Sequence, residues 1–348
     1  MRDKRASEIR TLLRSGELRD IGGRRETNSA RASQPSTAGL IAAFAAVYLI
    51  WGSTYLAIRY AVETIPPLLM MGMRHLTAGA LLYAWARSRG VRGPRLREWF
   101  YPAVVGSLLF VGGHGSLAWA ELRVPSGIAA LLVATLPMWV VVLARIWGTE
   151  RKLSARAIRG LGLGFVGVAL LFGPDVLRHT GELNLLGAGA VLLGTFIWAA
   201  GTIYMRNVQM PESPLLSSAM QMLAGGASLL VAAALAGEAG RFHPTAVTTR
   251  SWLALAYLVA FGSITAFTAY TWLHTVAPPS RVSTYAYVNP VVAVLVGWTL
   301  AGEPIGAFAV AALVIILVGV AMVNAGHREQ PALGKSNRDE EAQAEAAA

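Results

Sequence analysis

Long apolar stretches separated by short polar joins fill the chain from residue 41 to residue 325. A helix needs about 20 apolar residues to cross the hydrocarbon core of a bilayer, and ten stretches reach or approach that length. They are 41–61, 67–86, 101–120, 126–146, 156–173, 185–205, 214–236, 252–273, 282–301 and 306–325. The pattern predicts an all-α integral membrane protein with ten transmembrane helices.

Positive charge is distributed unevenly between the predicted loops. With the N-terminus placed in the cytoplasm, 24 of the 30 Lys and Arg residues fall on the cytoplasmic side and four on the opposite side. The remaining two, Arg59 and Arg74, fall within predicted spans. Because Lys and Arg accumulate in cytoplasmic loops, this bias predicts that the N and C termini are both cytoplasmic.

The chain repeats itself at a nearly constant spacing. Trp51 lies 147 residues before Trp198, and the same offset places Arg74 on Gln221. After a six-residue insertion in the loop around 237–251 the offset becomes 153, which aligns Pro137 with Pro290. Since each half carries five spans, the second half enters the membrane in the opposite orientation. Two inverted five-helix repeats are typical of secondary transporters.

The two ends of the chain differ in composition from the middle. Residues 1–38 hold nine Lys and Arg residues among Ser, Gly and Ala, and residues 327–348 are rich in Ala and Glu. Both segments lack the apolar residues that a packed core needs and are predicted to be disordered. The first repeat then covers residues 39–173 with spans 1–5, and the second covers 183–326 with spans 6–10.

Composition supports the membrane class and excludes several kinds of chemistry. Apolar residues make up 55% of the chain, charged residues 14%, and the mean hydropathy is +0.50, whereas soluble domains have about 25% charged residues. The absence of cysteine excludes thiol catalysis and Cys-based metal sites, and we expect no metal or cofactor. The net charge of +11 is explained by loops and tails, so nucleic acid is not an expected partner.

Prolines occupy the middle of two predicted spans that are equivalent in the repeats. Pro137 and Pro290 each lie 13 residues before a glutamate, Glu150 and Glu303. That spacing is about 20 Å of helix, against a hydrocarbon half-thickness of roughly 15 Å, so both prolines fall near the midplane. Ordinary kinks are tolerated in membrane helices, but a symmetric midplane pair favours helix breaks with a role in gating.

Three segments of the sequence resemble one transporter family. They are WGSTYLAIRYAVETIPPLLMMGMRHLTAGALL (51–82), VPSGIAALLVATLP (124–137) and YAYVNPVVAVLVGWTLAGE (285–303). They resemble EamA-type members of the drug/metabolite transporter superfamily, and the similarity extends over about residues 40–326. The resemblance implies export of metabolites or drugs across a bacterial inner membrane. The resemblance does not imply a particular substrate. The sequence also departs from the family pattern at His75, where the family usually has an aromatic residue such as Phe.

Arg74 is the strongest candidate for substrate binding. A charge inside a span costs several kcal/mol unless it faces a wet cavity or a partner. A buried guanidinium can hold a carboxylate or phosphate through two parallel hydrogen bonds. The alternative is that Arg74 extends toward the outer interface. The equivalent position in the second repeat is the neutral Gln221.

The other candidates for the binding site are histidines and residues around Pro290. His75 and His114 can relay protons, or can simply be hydrogen-bonded within the helix bundle. Aromatic and amide side chains are suited to line a pocket, and we expect this of one tyrosine in span 1 and of two tyrosines and an asparagine just before or beside Pro290 in span 9. These are Tyr55, Tyr285, Tyr287 and Asn289.

Carboxylates are absent from the centres of the predicted spans. All 19 Asp and Glu residues can be placed in tails, loops or span ends, and Glu121 is among those at outer ends. Because proton-driven pumps commonly use intramembrane Asp, Glu or His, this favours facilitated or exchange transport, or coupling through histidine.

The sequence as a whole predicts a secondary transporter that exports small metabolites or drugs by alternating access. Amino-acid-like or amphipathic organic solutes are the expected substrates, and the lipid bilayer is the expected surrounding for a functional monomer. Import or exchange is the alternative direction. A membrane-embedded enzyme is the rival class, but the sequence has no Cys, no HExxH motif and no carboxylate in a span centre.

Overall fold

The computed structural model describes residues 36–147, 154–171, 184–277, 282, 285–303 and 305–328. Every regular element in this part of the chain is helical. At its start Ser36 caps the first helix, where its Oγ accepts a hydrogen bond from the Gly39 amide at 3.0 Å. The contacts discussed below all lie within the compact unit that begins at Ala42.

The α-helices are numbered here in chain order. The first repeat contains α1 (Thr37–Ala45), α2 (Trp51–Val62), α3 (Pro67–Ser88), α4 (Phe100–Gly106), α5 (Ser116–Ala120), α6 (Ser126–Val133), α7 (Leu136–Ile146) and α8 (Ala155–Leu171). The second contains α9 (Leu185–Asn207), α10 (Pro214–Leu235), α11 (Thr249–Tyr257), α12 (Ala266–Val276), α13 (Tyr285–Ala301) and α14 (Ala307–Arg328). Short 3₁₀ turns occur at Leu96–Trp99, Ala239–Arg241 and Pro244–Ala246.

Several of these helices are long and apolar enough to cross a membrane. In the described part of the chain six qualify by length and composition. Helix α3 is 22 residues long, but it carries Arg74 and His75 and is not one of the six. The six are Thr37–Val62, Leu96–Ala120, Ser126–Leu143, Leu185–Asn207, Pro214–Leu235 and Thr249–Val276. The predicted class, an all-α multi-pass membrane protein, is confirmed.

Three spans are interrupted by π-helical stretches, Ala46–Ile50, Ser107–Gly115 and Leu258–Thr265. The second and third lie in the equivalent spans 3 and 8. A π-helix adds a residue to a turn and therefore rotates the side chains that follow it, and such stretches are frequent at functional sites. Here they contain or precede Trp51, His114 and Ser263, which all reach the site described below.

The packing of the helices follows the duplication of the sequence. Helices α3 and α10 each have 22 residues, start at prolines 147 residues apart and pack along each other. Helix α8 packs in the same way on its counterpart α14. Helix α2 packs on α13 and α11, while its counterpart α9 packs on α7 and on the π-helical stretch of span 3. Equivalent helices thus have equivalent neighbours.

The two prolines of the sequence prediction differ in the structure. Helix α6 ends at Val133 and α7 starts at Leu136, so Pro137 lies in the first turn after a break at Ala134–Thr135. In that position its missing N–H costs little, because the first N–H groups of a helix have no intrahelical acceptor. Pro290, in contrast, lies inside the continuous helix α13. Pro290 therefore does not interrupt its helix as Pro137 does, and a role of the two prolines in gating stays a prediction.

A side-chain amide accompanies the uninterrupted helix at Pro290. The Asn289 amide lies 3.0 Å from the Tyr48 carbonyl and 3.1 Å from the Tyr285 carbonyl, and its nitrogen donates to both. Asn289 is buried, so these bonds satisfy a polar group that would otherwise be costly inside the bundle. They also tie α13 to the π-helical stretch before α2.

The two ends of the bundle are chemically distinct. One, called here the carboxylate end, carries Glu63, Glu121, Glu238 and Glu303. At this end the Arg59 and Glu303 side chains form an ion pair, and Glu238 accepts a hydrogen bond from the Leu69 amide at 2.9 Å.

The opposite end, called the arginine end, carries Arg87, Arg97 and Arg206. Tyr101 lies there against Tyr204, with ring centroids 6.5 Å apart. A small buried cluster of Ala86, Leu216 and Met220 joins α3 to α10 at the same end.

Candidate functional site

A cavity of about 60 Å³ lies between the two repeats. A buried water needs roughly 10–15 Å³ of such space, so the cavity has room for a few waters and not for a larger solute without movement of its walls. The first repeat contributes Trp51, Thr54, Tyr55, Ile58, Arg74, Gly113, His114, Leu117, Val133 and Leu136 to its wall. The second contributes Val191, Gly194, Thr195, Trp198, Tyr285 and Asn289.

Two tryptophans that are equivalent in the repeats meet in the cavity wall. The rings of Trp51 and Trp198 are 6.2 Å apart and perpendicular, an edge-to-face arrangement that aromatic pairs favour. Each also contacts a residue of the opposite repeat: Trp51 lies 6.4 Å from Phe267, and Trp198 lies 4.7 Å from His114. Phe267 and His114 are themselves equivalent at the 153-residue offset, so these contacts follow the internal symmetry of the chain.

Trp51 is held in place from several directions. Its Nε1 donates a hydrogen bond of 3.0 Å to the Gly262 carbonyl, and its ring lies 5.0 Å from Tyr270 and 5.1 Å from Tyr285. Tyr270 and Tyr285 also contact each other at 5.9 Å. One side of the cavity is therefore a rigid aromatic wall.

Arg74 lines the cavity, and its side chain does not extend to the surface of the helix bundle. Its side chain is 1% exposed, which excludes the alternative in which it extends to the membrane surface. Its Nε donates to Ser263 Oγ at 2.8 Å, and Nη1 lies 3.8 Å from the Met71 sulfur. The guanidinium also packs against Gly262, where a Cβ atom would come within 2.9 Å of Nη2, so this approach requires glycine.

No carboxylate of the described residues lies within ion-pair distance of Arg74. A guanidinium has five N–H donors, and Ser263 takes only one of them. The remaining donors are available to an anionic ligand in the cavity, because a buried charge without a partner is costly and a bidentate carboxylate or phosphate would relieve that cost.

The two candidate histidines form a pair. His75 Nε2 and His114 Nδ1 are 2.9 Å apart, with nearly parallel rings. One of the two nitrogens must donate and the other accept, and the tautomers decide which. His75 does not line the cavity itself and stacks on Phe110 behind His114. The pair thus connects the cavity to the interior of the first repeat.

The remaining predicted site residues divide into two groups. Tyr55, Tyr285 and Asn289 line the cavity together with Arg74 and His114. Gln221 does not: it is fully buried elsewhere, and its Nε2 donates to Ser217 Oγ at 3.0 Å. The side chain of Tyr287 lies outside the described part of the structure. Pro137 and Pro290 are buried next to the lining residues Leu136 and Asn289.

The sequence carried a signal for several lining residues that were not predicted, namely Thr54, Ile58, Val191, Gly194 and Thr195. Trp51, Thr54, Tyr55 and Ile58 follow the i, i+3, i+4, i+7 spacing of one helix face. The second repeat shows the same spacing in Val191, Gly194, Thr195 and Trp198. The two sets share only the equivalent position Trp51/Trp198 at the 147-residue offset, so the helical spacing indicates each wall separately.

Glu121 is the most unexpected residue near the site. It follows α5 and was predicted at an outer end, yet it is only 5% exposed, and neither carboxylate oxygen has a hydrogen-bond partner. Burial and then the neighbouring Glu303 carboxylate raise the pKa of Glu121 well above its usual range, against the opposing effects of Arg59 and Arg74. Its spacing of seven residues from His114 indicates the same helix face.

Comparison with known proteins identifies the family. The profile of the EamA-like transporter family matches residues 37–173 and again residues 185–325. The chain belongs to the EamA-like transporter family. The two matches are consecutive and together cover most of the chain, in agreement with the duplication seen in the packing.

Relatives of this EamA-family chain are also described as transporters. It is 41% identical over 299 residues to the uncharacterized inner membrane transporter YedA of Escherichia coli K12, covering 84% of this chain and 93% of YedA. It is 26% identical to the uncharacterized transporter YvbV of Bacillus subtilis, with 82% of this chain and 91% of YvbV covered. A solved crystal structure of a protein 21% identical shares the fold, with a TM-score of 0.60 over 82% of this chain and 96% of the other.

These findings give the protein its class and location. It is a multi-pass transporter of the inner membrane, and as a member of a transporter family it is not an enzyme. A membrane-embedded enzyme, the rival class suggested by sequence, is excluded. A transporter of this kind acts on a small-molecule substrate within the bilayer.

Proposed function

We propose that the protein exports small organic solutes by alternating access between two inverted five-helix repeats. The repeats would cover residues 39–173 and 183–326, with ten spans in all, tails at 1–38 and 327–348, and both termini in the cytoplasm. The proposal rests on one observation: the equivalent residues Trp51 and Trp198 meet in a cavity beside the Arg74 guanidinium, which has no carboxylate partner among the described residues. A solute in that cavity contacts both repeats and therefore responds to any movement between them.

The inverted orientation is supported by contacts at the two ends of the bundle. Span 1 ends at the carboxylate end, where Arg59 meets Glu303. Span 6, its counterpart, ends at the arginine end, where Tyr204 meets Tyr101. Equivalent spans that finish at opposite ends are the signature of an inverted repeat, and the arginine end is the cytoplasmic one under the positive-inside rule.

The chemistry of the cavity favours solutes with an anionic group and an apolar body. Arg74 offers donors to a carboxylate or phosphate. Trp51, Trp198 and Tyr285 present aromatic surface on the other side, which suits a hydrocarbon or aromatic portion and also the cationic group of an amino acid. Amino-acid-like and amphipathic organic solutes combine these features. The 60 Å³ volume requires the walls to separate before such a solute enters.

Transport is proposed to be driven by exchange of solutes or by coupling to protons through the histidine pair. The 2.9 Å contact between His75 and His114 provides a shared proton position next to the cavity. Import or exchange in the opposite direction is the second candidate, because two equivalent halves present the same cavity to either side. A single chain contains both halves of the cavity, so the protein is proposed to act as a monomer.

Transport by the purified protein in liposomes tests this proposal. We expect saturable counterflow of solutes that carry a carboxylate and an apolar side chain, and much weaker counterflow of the matching amides. Everted membrane vesicles should accumulate the same solutes and right-side-out vesicles should not, which separates export from import. Folded protein that shows no saturable flux of any carboxylated solute would contradict the substrate assignment.

A further inference from the structure

The carboxylate end contains a cluster that joins the two repeats next to the cavity. Glu303, which follows α13, forms an ion pair with Arg59 of α2. Its carboxylate also accepts hydrogen bonds from Ser126 Oγ at 2.7 Å and from the amides of Ser126 and Gly127 at 3.3 Å. Glu303 thus holds the start of α6 and the end of α2 together, and the carboxylate end is called closed here when these contacts are made.

Glu121 lies beside this cluster and takes no part in its hydrogen bonds. Both of its oxygens are enclosed and have no partner among the described residues. The groups that face it are Arg59 and Tyr55 from α2, Arg74 from α3 and Glu303 from the end of α13. Arg59 is already paired with Glu303, and Arg123 lies over the Trp119 ring.

An ionised Glu121 is therefore poorly accommodated in the closed cluster. It would place a second, buried negative charge beside Glu303 with no hydrogen-bond donor among the described residues, whereas a neutral carboxyl group avoids most of that cost. If the cluster opened, water would reach Glu121 and stabilise the charge.

We propose that Glu121 is a proton-binding site, and that its protonation state controls whether the Arg59–Glu303–Ser126 cluster holds the carboxylate end closed. Binding of a proton favours the closed end, and release of the proton favours the open end. The site is separate from the His75–His114 pair and does not depend on which solute is carried. The sequence disfavours a proton relay through carboxylates in the span centres, and Glu121 lies outside the span centres, at a span end.

The direction of the pH dependence follows from linkage. The closed state holds the Glu121 proton more tightly than the open state, where the pKa returns toward the usual value of 4.5. The closed population therefore falls as the pH rises above that value, and the effect levels off once the pH exceeds the raised pKa of the closed state. For a single proton the ratio of closed to open changes by at most about tenfold per pH unit.

Distance measurements between spin labels test the proposal directly. The chain contains no cysteine, so Leu122→Cys and Leu300→Cys, both at exposed positions, give a clean pair of labels across the carboxylate end. Between about pH 5 and pH 9 we expect the short distance to lose population to a longer one. Glu121→Gln should hold the short distance at every pH.

Two further variants keep the test decisive. Glu121→Met should behave like Glu121→Gln, because the Glu121 oxygens have no hydrogen bonds to lose among the described residues. If the Gln variant does not fold, the distances are measured on the Met variant instead. Glu63→Gln, at the exposed ion pair with Arg250 of the same end, should keep the pH dependence of the parent protein. The proposal is overturned if the parent shows no change with pH, or if both Glu121 variants retain that change.

Discussion

The two long helices that begin at Pro67 and Pro214 carry different groups at the same distance from their first residues. Seven residues into α3 stands Arg74, and seven residues into α10 stands Gln221. Both are fully buried and the two helices pack along each other, yet Arg74 lines the cavity and Gln221 does not. The duplication has kept the backbone framework and has changed the chemistry at one position.

The surroundings of the two positions explain this difference. Arg74 donates a hydrogen bond to Ser263 and packs against Gly262, which has no side chain. At the equivalent positions of the first repeat stand Leu109 and Phe110, both fully buried apolar residues. At these two positions the first repeat therefore offers neither a hydroxyl group nor a glycine to a guanidinium from α10. A duplicated fold can thus preserve equivalent packing, which the proposed alternating access needs, while a single ligand group breaks the symmetry.

The largest expected effect on stability comes from giving position 221 the arginine that position 74 carries. Gln221→Arg places a guanidinium next to Ser217 and the Gly106 backbone, where those neighbours offer no carboxylate and no cavity. We expect a loss of several kcal/mol in stability, seen as a low yield of monodisperse protein and a lower unfolding temperature in detergent. Gln221→Met, which keeps size and adds no charge, is the matched control. A Gln221→Arg protein as stable as the parent would contradict the asymmetry.

Smaller effects on stability are expected at Trp51 and Trp198, where the two repeats carry the same residue. Trp51→Phe and Trp198→Phe both weaken the edge-to-face contact, and each should cost about 1 kcal/mol in lost aromatic surface. Trp51→Phe should cost about 1 kcal/mol more, because it also removes the hydrogen bond to the Gly262 carbonyl. Unfolding by denaturant in mixed micelles measures both. If Trp198→Phe were clearly the more damaging change, the account of the tryptophan pair would be wrong.

The sequence contained most of the framework and much of the cavity. Apolar length and the 147- and 153-residue offsets predicted the membrane class and the duplication, and Arg74, His114, Tyr55, Tyr285 and Asn289 do line one cavity. The membrane class and the duplication are confirmed because they depend on composition and local periodicity, while a role of the lining residues in substrate binding stays a prediction.

The remaining features depend on the register and packing of distant segments. The His75–His114 contact involves the π-helical stretch of span 3, whose altered turn no simple period predicts. The burial of Glu121 depends on where the end of α13 docks. Helix α13 continues through Pro290, although its repeat equivalent Pro137 follows a break, so a shared proline does not specify a shared backbone.

The central claim is that Arg74 binds the anionic group of a solute in the cavity between the repeats. Isothermal titration of the purified protein with a transported carboxylate and with its amide tests this claim most directly, using Arg74→Gln and, as a matched control, Arg250→Gln at the surface ion pair. We expect Arg74→Gln to weaken binding of the carboxylate by about 10- to 100-fold, in line with the loss of a charge-assisted hydrogen bond. The amide should bind both proteins alike, and Arg250→Gln should bind as the parent does. Unchanged affinity of the Arg74→Gln protein for the carboxylate would contradict the account.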